Sequence, residues 1–172
     1  MFPRHRTERM KIMSELEPRS HCVCFTGHRP EKLTMSEESV KAGLEQQIIQ
    51  ALANGYTTFI TGMAQGVDLW AGKIVADLRD NGLPIKLVAA NPYPGFGKGW
   101  EPEWKSLHQE ITSRADLVEN VCKAYNKGCF MSRNKWMVDH SDLLIAVFNG
   151  EKGGTKNTID YASKQGIRIR YI

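Results

Sequence analysis

The chain has 172 residues, of which 41% are hydrophobic and 24% charged. This is an ordinary composition for a globular protein and enough length for one domain with a buried core. No apolar run approaches the roughly 20 residues of a membrane helix, and the polar first twenty residues lack the apolar stretch of a secretory signal. We therefore expect a cytoplasmic protein with no membrane partner.

The net charge of +4 is unevenly placed along the chain. Residues 1–20 carry five basic and three acidic side chains, so they account for half of it. We expect residues 1–20 to form a mobile polar tail and residues 21–172 to form the domain. A nucleic-acid groove usually presents a clustered basic face, so nucleic acid stays open as a partner but is not favoured.

Strand-like apolar runs alternate with amphipathic segments throughout the domain. Strands are predicted at about 22–27, 57–61, 85–90, 116–121, 143–148 and 168–172, and helices at about 35–53, 101–115, 129–139 and 155–165, with one more helix between the second and third strands. Thr34 and Glu37 have the spacing of a capping box at the start of the first helix. The alternation predicts a single α/β domain with a doubly wound, mostly parallel sheet and helices on both faces.

Three glycine-bearing turns follow predicted strands and lead towards helices. They begin near residues 27, 62 and 150. Parallel sheets bind ligands at the carboxyl ends of their strands. Glycine lets the backbone approach a phosphate closely, and a helix start offers free N–H groups. Three such turns in one small domain predict a composite nucleotide or phosphate pocket.

The first turn contains Gly27, His28 and Arg29. An arginine here is able to hold a phosphate or carboxylate with two hydrogen bonds. A histidine is able to bond a ligand or to act as an acid or base. The alternative is a tight turn with solvated side chains, but the strand-end position favours a ligand site.

The second turn contains Gly62, Met63, Ala64 and Gly66, and Asp68 follows it. Its glycines favour a nest of N–H groups that binds an anion. It lacks the lysine of a Walker loop and the GxGxxG pattern of a dinucleotide fold. Asp68 is expected either to cap the following helix or to bind a ligand hydroxyl.

The segment from 91 to 100 is rich in proline and glycine and is interpreted as a flexible flap over the pocket mouth. Asn91 is placed at this mouth. Tyr93 and Trp100 are candidates for stacking on a base, with ordinary packing as the alternative.

The last group of candidates lies around the fifth strand. Arg133 and Asn134 are expected to reach across the crevice to a phosphate or ribose, unless Arg133 is a plain surface arginine. Gly153, Gly154 and Thr155 resemble a phosphate-binding turn at the start of the last helix, or else a helix entry without a ligand.

The four cysteines predict no metal site. Cys22 and Cys24 should share one face of a strand. The spacing of Cys122 and Cys129 matches no common zinc pattern, so buried reduced thiols are expected.

Four segments together resemble the YpsA-like family of the SLOG superfamily of Rossmann-like domains. They are TGHRP (26–30), TGMAQGVD (61–68), RNKWMVD (133–139) and GEKGGTKN (150–157), in family order. The resemblance covers about residues 22–172. It implies a Rossmann-like fold, a nucleotide-derived ligand at the glycine turns, and a homodimer.

Relatives in that superfamily differ in activity. Lonely-guy enzymes cleave the N-glycosidic bond of nucleoside monophosphates, and the DNA-processing protein A group binds single-stranded DNA. The lonely-guy arginine matches Arg133, and their Gly-Thr aligns with Gly154 and Thr155. Their catalytic glutamate then falls at Thr158, which lacks a carboxylate. His28, Asp68 or Asp160 would have to replace it.

The expected function is therefore the binding or sensing of a nucleotide or NAD-like molecule. No cofactor and no catalytic residue is identified from the residues themselves. A nucleotide N-glycosidase or phosphoribohydrolase is the alternative, and single-stranded DNA binding is the third hypothesis.

Overall fold

A computed structural model describes residues 19–172. The tail expected at residues 1–20 thus lies outside the described residues, apart from its last two. These two belong to a short 3-10 turn, Arg19–His21, which leads into the first strand.

Six strands and five longer helices alternate along the described chain. They are β1 (Cys22–Gly27), α1 (Glu37–Ala53), β2 (Thr58–Thr61), α2 (Val67–Asp80), β3 (Lys86–Asn91), α3 (Pro102–Arg114), β4 (Leu117–Asn120), α4 (Cys129–Asp139), β5 (Leu143–Val147), α5 (Gly154–Gln165) and β6 (Arg168–Tyr171). A second 3-10 turn, Pro30–Lys32, follows β1. The α/β alternation expected from the sequence is confirmed.

The strands form one sheet in the order β4-β3-β2-β1-β5-β6, and every pairing is parallel. In the register, Val23 of β1 lies beside Phe59 of β2 on one side and Leu143 of β5 on the other. The chain continues from β1 to β2 on one side of β1, while β5 lies on the other side of β1. This reversal creates a switch point, where a crevice opens outside the carboxyl ends of β1 and β5.

The sheet has a hydrophobic core on each face. Val23 and Phe25 of β1 pack in the core that α1, α2 and α3 cover. Cys22 and Cys24 point to the other core, with Met137 of α4 and helix α5. The shared face expected for these two cysteines is thus confirmed, and it follows from the two-residue period of a strand. The central strands are apolar throughout because both of their faces are covered.

The start of α1 differs from the expected capping box. Ser36 is the N-cap, and its side chain accepts a hydrogen bond from the N–H of Ser39 at 3.2 Å. The capping box of Thr34 and Glu37 is wrong because Glu37 is already the first helical residue. The helix begins at Glu37, so the residue directly before it, Ser36, takes the N-cap position instead of Thr34.

Within residues 19–172, none of the helices combines the length and the apolar character needed to cross a membrane.

Candidate functional site

A cavity of about 310 Å³ lies at the crevice between the ends of β1 and β5. This volume is at the lower end of the range for small-molecule sites, roughly 300–1,000 Å³. The sequence-predicted residues that line it are Gly27, His28, Arg29, Ala64, Asp68, Trp100, Arg133, Asn134, Gly153, Gly154 and Thr155. All three glycine turns therefore contribute to one site, because their strands end at the same edge of the sheet.

Most of the second glycine turn lies behind the cavity, where it forms the floor, and only part of the turn lines the cavity. Gly62, Met63 and Gly66 are not among the lining residues. Met63 has a positive φ of 63° and a fully buried side chain. Gly66 is the N-cap of α2 with φ of 90°, and a Cβ there would lie 2.8 Å from Pro30 Cδ. Gly66 therefore permits a close approach between two loops.

Asp68 closes this turn from the inside. Its Oδ2 accepts a hydrogen bond from the N–H of Ala64 at 3.3 Å. Asp68 does not occupy the helix cap, which is Gly66; it is the second residue of α2. The N–H of Ala64 is therefore already engaged by the protein, which argues against the anion-binding nest expected in this turn.

Asp68 and Arg133 are opposite charges that are both almost completely buried, with 7% and 5% exposure. Burial raises the pKa of the Asp68 carboxyl to about 6, although the nearby Arg133 and the N–H of Ala64 pull it down. Burial also lowers the pKa of Arg133, and the Asp68 carboxylate counteracts this. The Arg133 guanidinium donates from Nη1 to the carbonyl oxygen of Gly62. Arg133 is thus anchored in the floor and is not the surface arginine of the alternative interpretation.

Asn134 links this floor to the cavity. Its Oδ1 accepts a hydrogen bond from Arg133 Nε at 2.8 Å. With the oxygen engaged, the amide N–H groups are the part of Asn134 that can donate to a ligand.

His28 has a buried ring with one free nitrogen. The side chain is 6% exposed and stacks on Phe148, with ring centroids 5.5 Å apart. Burial lowers the pKa of His28, opposed by Glu151 and assisted by Lys32, so the ring is neutral near pH 7. Its Nε2 is buried without a hydrogen-bond partner among the described residues. A buried polar atom is normally paired, so a group in the cavity is the natural partner.

The start of α5 has open space around Gly154. Gly153 is the N-cap with φ of 147°, a conformation that favours glycine. A Cβ placed on Gly154 would meet nothing within 4 Å, so there is free space before this helix end. The first N–H groups of a helix have no partner within it and carry partial positive charge.

Three cations line the same cavity as this helix start. Arg29, Lys32 and Lys152 line the cavity, are exposed, and make no ion pair with any residue in the range 19–172. Lys32 and Lys152 were not singled out from the sequence. Lys152 lies within the third glycine turn and Lys32 follows Arg29 by three residues, so nearness to the glycine turns is the sequence feature that could have identified them.

Three aromatic side chains form an aromatic wall in the same cavity. Phe96, Trp100 and Phe130 line the cavity, and Phe96 makes edge contacts with Trp100 at 4.9 Å and Phe130 at 5.8 Å between ring centroids. Phe96 and Phe130 were missed in the sequence, as were Phe25, Thr26, Gln65 and Met137. The apolar patterning of the missed Phe and Met residues is indistinguishable from that of the core. Thr26 and Gln65 are polar and lie within the first two glycine motifs, and that position could have identified them.

Two residues of the 91–100 loop that were expected at the cavity, Asn91 and Tyr93, do not line it. Asn91 is buried, and its Oδ1 lies 3.0 Å from His108 Nε2. Tyr93 lies outside the lining and packs edge-on against Phe96 and Phe130. The loop is held to the core by Phe96, which is itself buried.

The cavity lining contains few of the carboxylates that glycosidic cleavage needs. Thr158 is buried, and its Oγ1 donates to the carbonyl oxygen of Gly154 at 2.9 Å. Asp160 is exposed, pairs with Lys156 and lies outside the lining. Asp68 is therefore the single carboxylate that lines the cavity within the described range.

The cysteines and other ligating side chains form no metal centre in the described residues. Groups of three or more His, Cys, Asp or Glu that could hold a metal are absent from residues 19–172. All four cysteines are free thiols, and Cys122 is only partly buried.

Rossmann-like α/β proteins take their ligands at the switch point of a parallel sheet, and the fold places this chain in that class. More specifically, the chain belongs to the YspA SLOG family, whose sequence model, named YpsA, matches residues 23–171. The family resemblance stated from the motifs is thereby confirmed.

Curated relatives carry family names without an activity. UPF0398 proteins from Bacillus thuringiensis (strain Al Hakam) and Bacillus cereus (strain Q1) are each 26% identical over 153 residues, covering 84% of this chain and 83% of theirs.

Three solved structures share the fold at low identity. DNA processing protein A from Helicobacter pylori, described with a unique single-stranded DNA binding mode, has a TM-score of 0.62 at 20% identity over 94% of this chain and 67% of that one. The Streptococcus pneumoniae DNA processing protein A gives 0.63 at 20% identity over 88% of this chain and 50% of that one. The Moco carrier protein of Chlamydomonas reinhardtii has a TM-score of 0.54 at 17% identity, over 90% of this chain and 76% of that one.

Proposed function

We propose that this protein binds a nucleotide in the crevice, with a phosphate at the start of α5 and the base against the aromatic wall. The single observation that carries the proposal is the open space before Gly154, at a helix N-terminus in a cavity that Arg29, Lys32 and Lys152 also line. Helix N-termini with glycine and nearby cations are suited to phosphate groups.

Other residues of the cavity lining suit the base and the ribose. Phe96, Trp100 and Phe130 offer aromatic surface on which any base is able to stack. The free Nε2 of His28 and the amide of Asn134 are polar groups at hand for a ribose hydroxyl or a base edge. An anion site and an aromatic wall within about 310 Å³ match the two ends of one mononucleotide.

Membership in the SLOG family supports the same proposal, since nucleotide-derived ligands are what the family resemblance implies. An NAD-like molecule contains the same phosphate and base groups. A homodimer is part of the proposal on the same family grounds.

A nucleotide N-glycosidase is the second candidate, and Asp68 is the observation that favours it. A carboxyl with a pKa near 6 is suited to general acid catalysis. Against it, Asp68 is buried beside Arg133, and glycosidic cleavage usually requires two carboxylates. Binding without cleavage is therefore the conclusion.

The test combines native mass spectrometry of freshly purified protein with calorimetry of nucleoside monophosphates and nucleosides. The spectrum reports any nucleotide carried through purification and the oligomeric state. Gly154→Val fills the open space before α5 and should abolish nucleotide binding, with unfolding unchanged. Gly99→Val is the matched control, because Gly99 is exposed, has equally open surroundings and lies outside the cavity lining. Equal affinity of the Gly154→Val variant and the unmodified protein would refute the site.

A further inference from the structure

Aromatic side chains continue out of the cavity onto the surface. Phe130 lines the cavity and contacts Tyr93 edge-on, with ring centroids 6.2 Å apart. Tyr93 in turn contacts Tyr125 edge-on at 5.3 Å. Tyr125 is 63% exposed, the largest value among the exposed large hydrophobic side chains in residues 19–172. The aromatic surface therefore extends beyond the space that encloses a single ligand unit.

The backbone that carries Tyr125 is fixed in place by several hydrogen bonds. The N–H of Cys122 donates to the carbonyl oxygen of Pro92 at 3.0 Å. The thiol of Cys129 accepts from the N–H of Asn126 at 3.1 Å and donates to the carbonyl oxygen of Ala124 at 3.3 Å. The exposed ring is thus held on a braced turn, so stacking on it costs little ordering of the protein.

Two cations flank this ring in the sequence. Lys123 and Lys127 are exposed, and neither makes an ion pair within the described part of the chain. An exposed aromatic ring between unpaired lysines is the combination that holds single-stranded nucleotides, with the base on the ring and the phosphate near the cations.

We propose that Tyr125, Lys123 and Lys127 form a second nucleotide subsite beside the cavity, which holds a unit joined through phosphate to the one in the cavity. This inference rests on the proposed function of the cavity. The cavity is at the lower end of the size range for small-molecule sites, so a larger ligand has to extend beyond it. The aromatic side chains lead from the cavity to Tyr125, and the lysines beside Tyr125 in the sequence supply positive charge for the bridging phosphate.

The proposed chemistry is a second base with its bridging phosphate. Two sources share this chemistry: a short single strand with 3′–5′ linkages, and a pyrophosphate-linked dinucleotide such as NAD. The experiment therefore uses thymidine 5′-monophosphate, its 3′–5′-linked dinucleotide with a 5′-phosphate, adenosine 5′-monophosphate and NAD as separate probes.

The experiment measures the affinity of each probe for the unmodified full chain, for Tyr125→Ala and for Tyr171→Ala. Tyr171 is the matched control, because it is 57% exposed on β6, at the far edge of the sheet from β4. Tyr125→Ala should weaken at least one two-base probe by about 5- to 150-fold, the effect of losing one base–aromatic stack, and leave its one-base counterpart unchanged. The dinucleotide that responds identifies the source.

A second variant tests the cations. The double substitution Lys123→Ala and Lys127→Ala should reduce the salt dependence of the same two-base probe.

Three results would overturn the subsite: two-base and one-base probes of equal affinity, equal losses for both on Tyr125→Ala, or an equal loss on Tyr171→Ala. The proposed function fails separately, because it is refuted when no one-base probe binds the unmodified chain or when Gly154→Val leaves that binding unchanged.

Discussion

Asp68 and Arg133 occupy the space directly in front of Gly62. A Cβ on this glycine would lie 2.7 Å from Asp68 Oδ2 and 2.9 Å from Arg133 Nη1. Both separations are too short for real contacts, so only glycine leaves room for the two buried side chains. The packing of Asp68 and Arg133 in the floor of the cavity therefore requires a residue without a Cβ at position 62.

Gly62→Ala should destabilise the protein through this overpacking by about 1–3 kcal/mol, the usual range for added core volume. It should also weaken nucleotide binding, because Arg133 and its neighbour Asn134 are displaced. Chemical denaturation and calorimetry measure the two effects. Gly154→Ala is the control for stability, since a methyl group there meets open space. Identical unfolding curves for Gly62→Ala and the unmodified protein would contradict the packing argument.

Asp68 should make stability depend on pH. Its pKa rises from 3.8 to about 6 on folding, so the folded state binds this proton more tightly than the unfolded chain does. The contribution of Asp68 to the free energy of unfolding is therefore greatest below about pH 4, and it is lost as the pH rises from about 4 to about 6. The shift corresponds to a loss on the order of 3 kcal/mol at pH 7.

Asp68→Asn removes the titration while keeping an oxygen for the N–H of Ala64. The free energy of unfolding of this variant, relative to the unmodified protein, should therefore increase across pH 4–6. Groups such as His28 titrate in both proteins and cancel in the difference. A difference that stays constant with pH would show that the Asp68 carboxyl titrates normally.

Much of the fold could be predicted from the sequence because its determinants are local. The apolar run of β5 and the amphipathic pattern of α1 are read directly from residue types. The site was predictable to the extent that strand ends must meet at one edge of a parallel sheet. That rule brings Gly27 and Gly154 to the same cavity without further information.

The remaining features of the site depend on tertiary geometry. The contact of Arg133 with Gly62 spans 71 residues of sequence, so no local pattern encodes it. Tyr93 and Trp100 had equal claims as stacking residues in the sequence. Only the path of their loop decides that Trp100 faces the cavity while Tyr93 supports Tyr125.

Arg29 and Arg133 should respond differently to replacement by alanine. Arg29 is exposed and unpaired within residues 19–172, so Arg29→Ala should weaken a nucleotide by about 1.5–3 kcal/mol with little effect on the matching nucleoside or on stability. Arg133→Ala removes the partner of the Gly62 carbonyl and leaves the Asp68 charge without its neighbour. It should cost about 3–5 kcal/mol of folding stability as well. Calorimetry and denaturation on both variants separate the roles, and equal losses for nucleotide and nucleoside would make Arg29 structural.

Nucleoside monophosphates and NAD should remain intact when incubated with the protein for hours. Cleavage needs a group that supports positive charge on the ribose. The motif resemblance to lonely-guy enzymes puts Thr158 at the position of their catalytic carboxylate, and threonine lacks that group. Thr158→Glu should not restore it, because this side chain is buried and a new carboxylate there would destabilise α5. Chromatography of the reaction mixture measures any free base. Multiple-turnover release by the unmodified protein, abolished by Asp68→Asn while nucleotide binding persists, would instead establish Asp68 as the acid of a hydrolase.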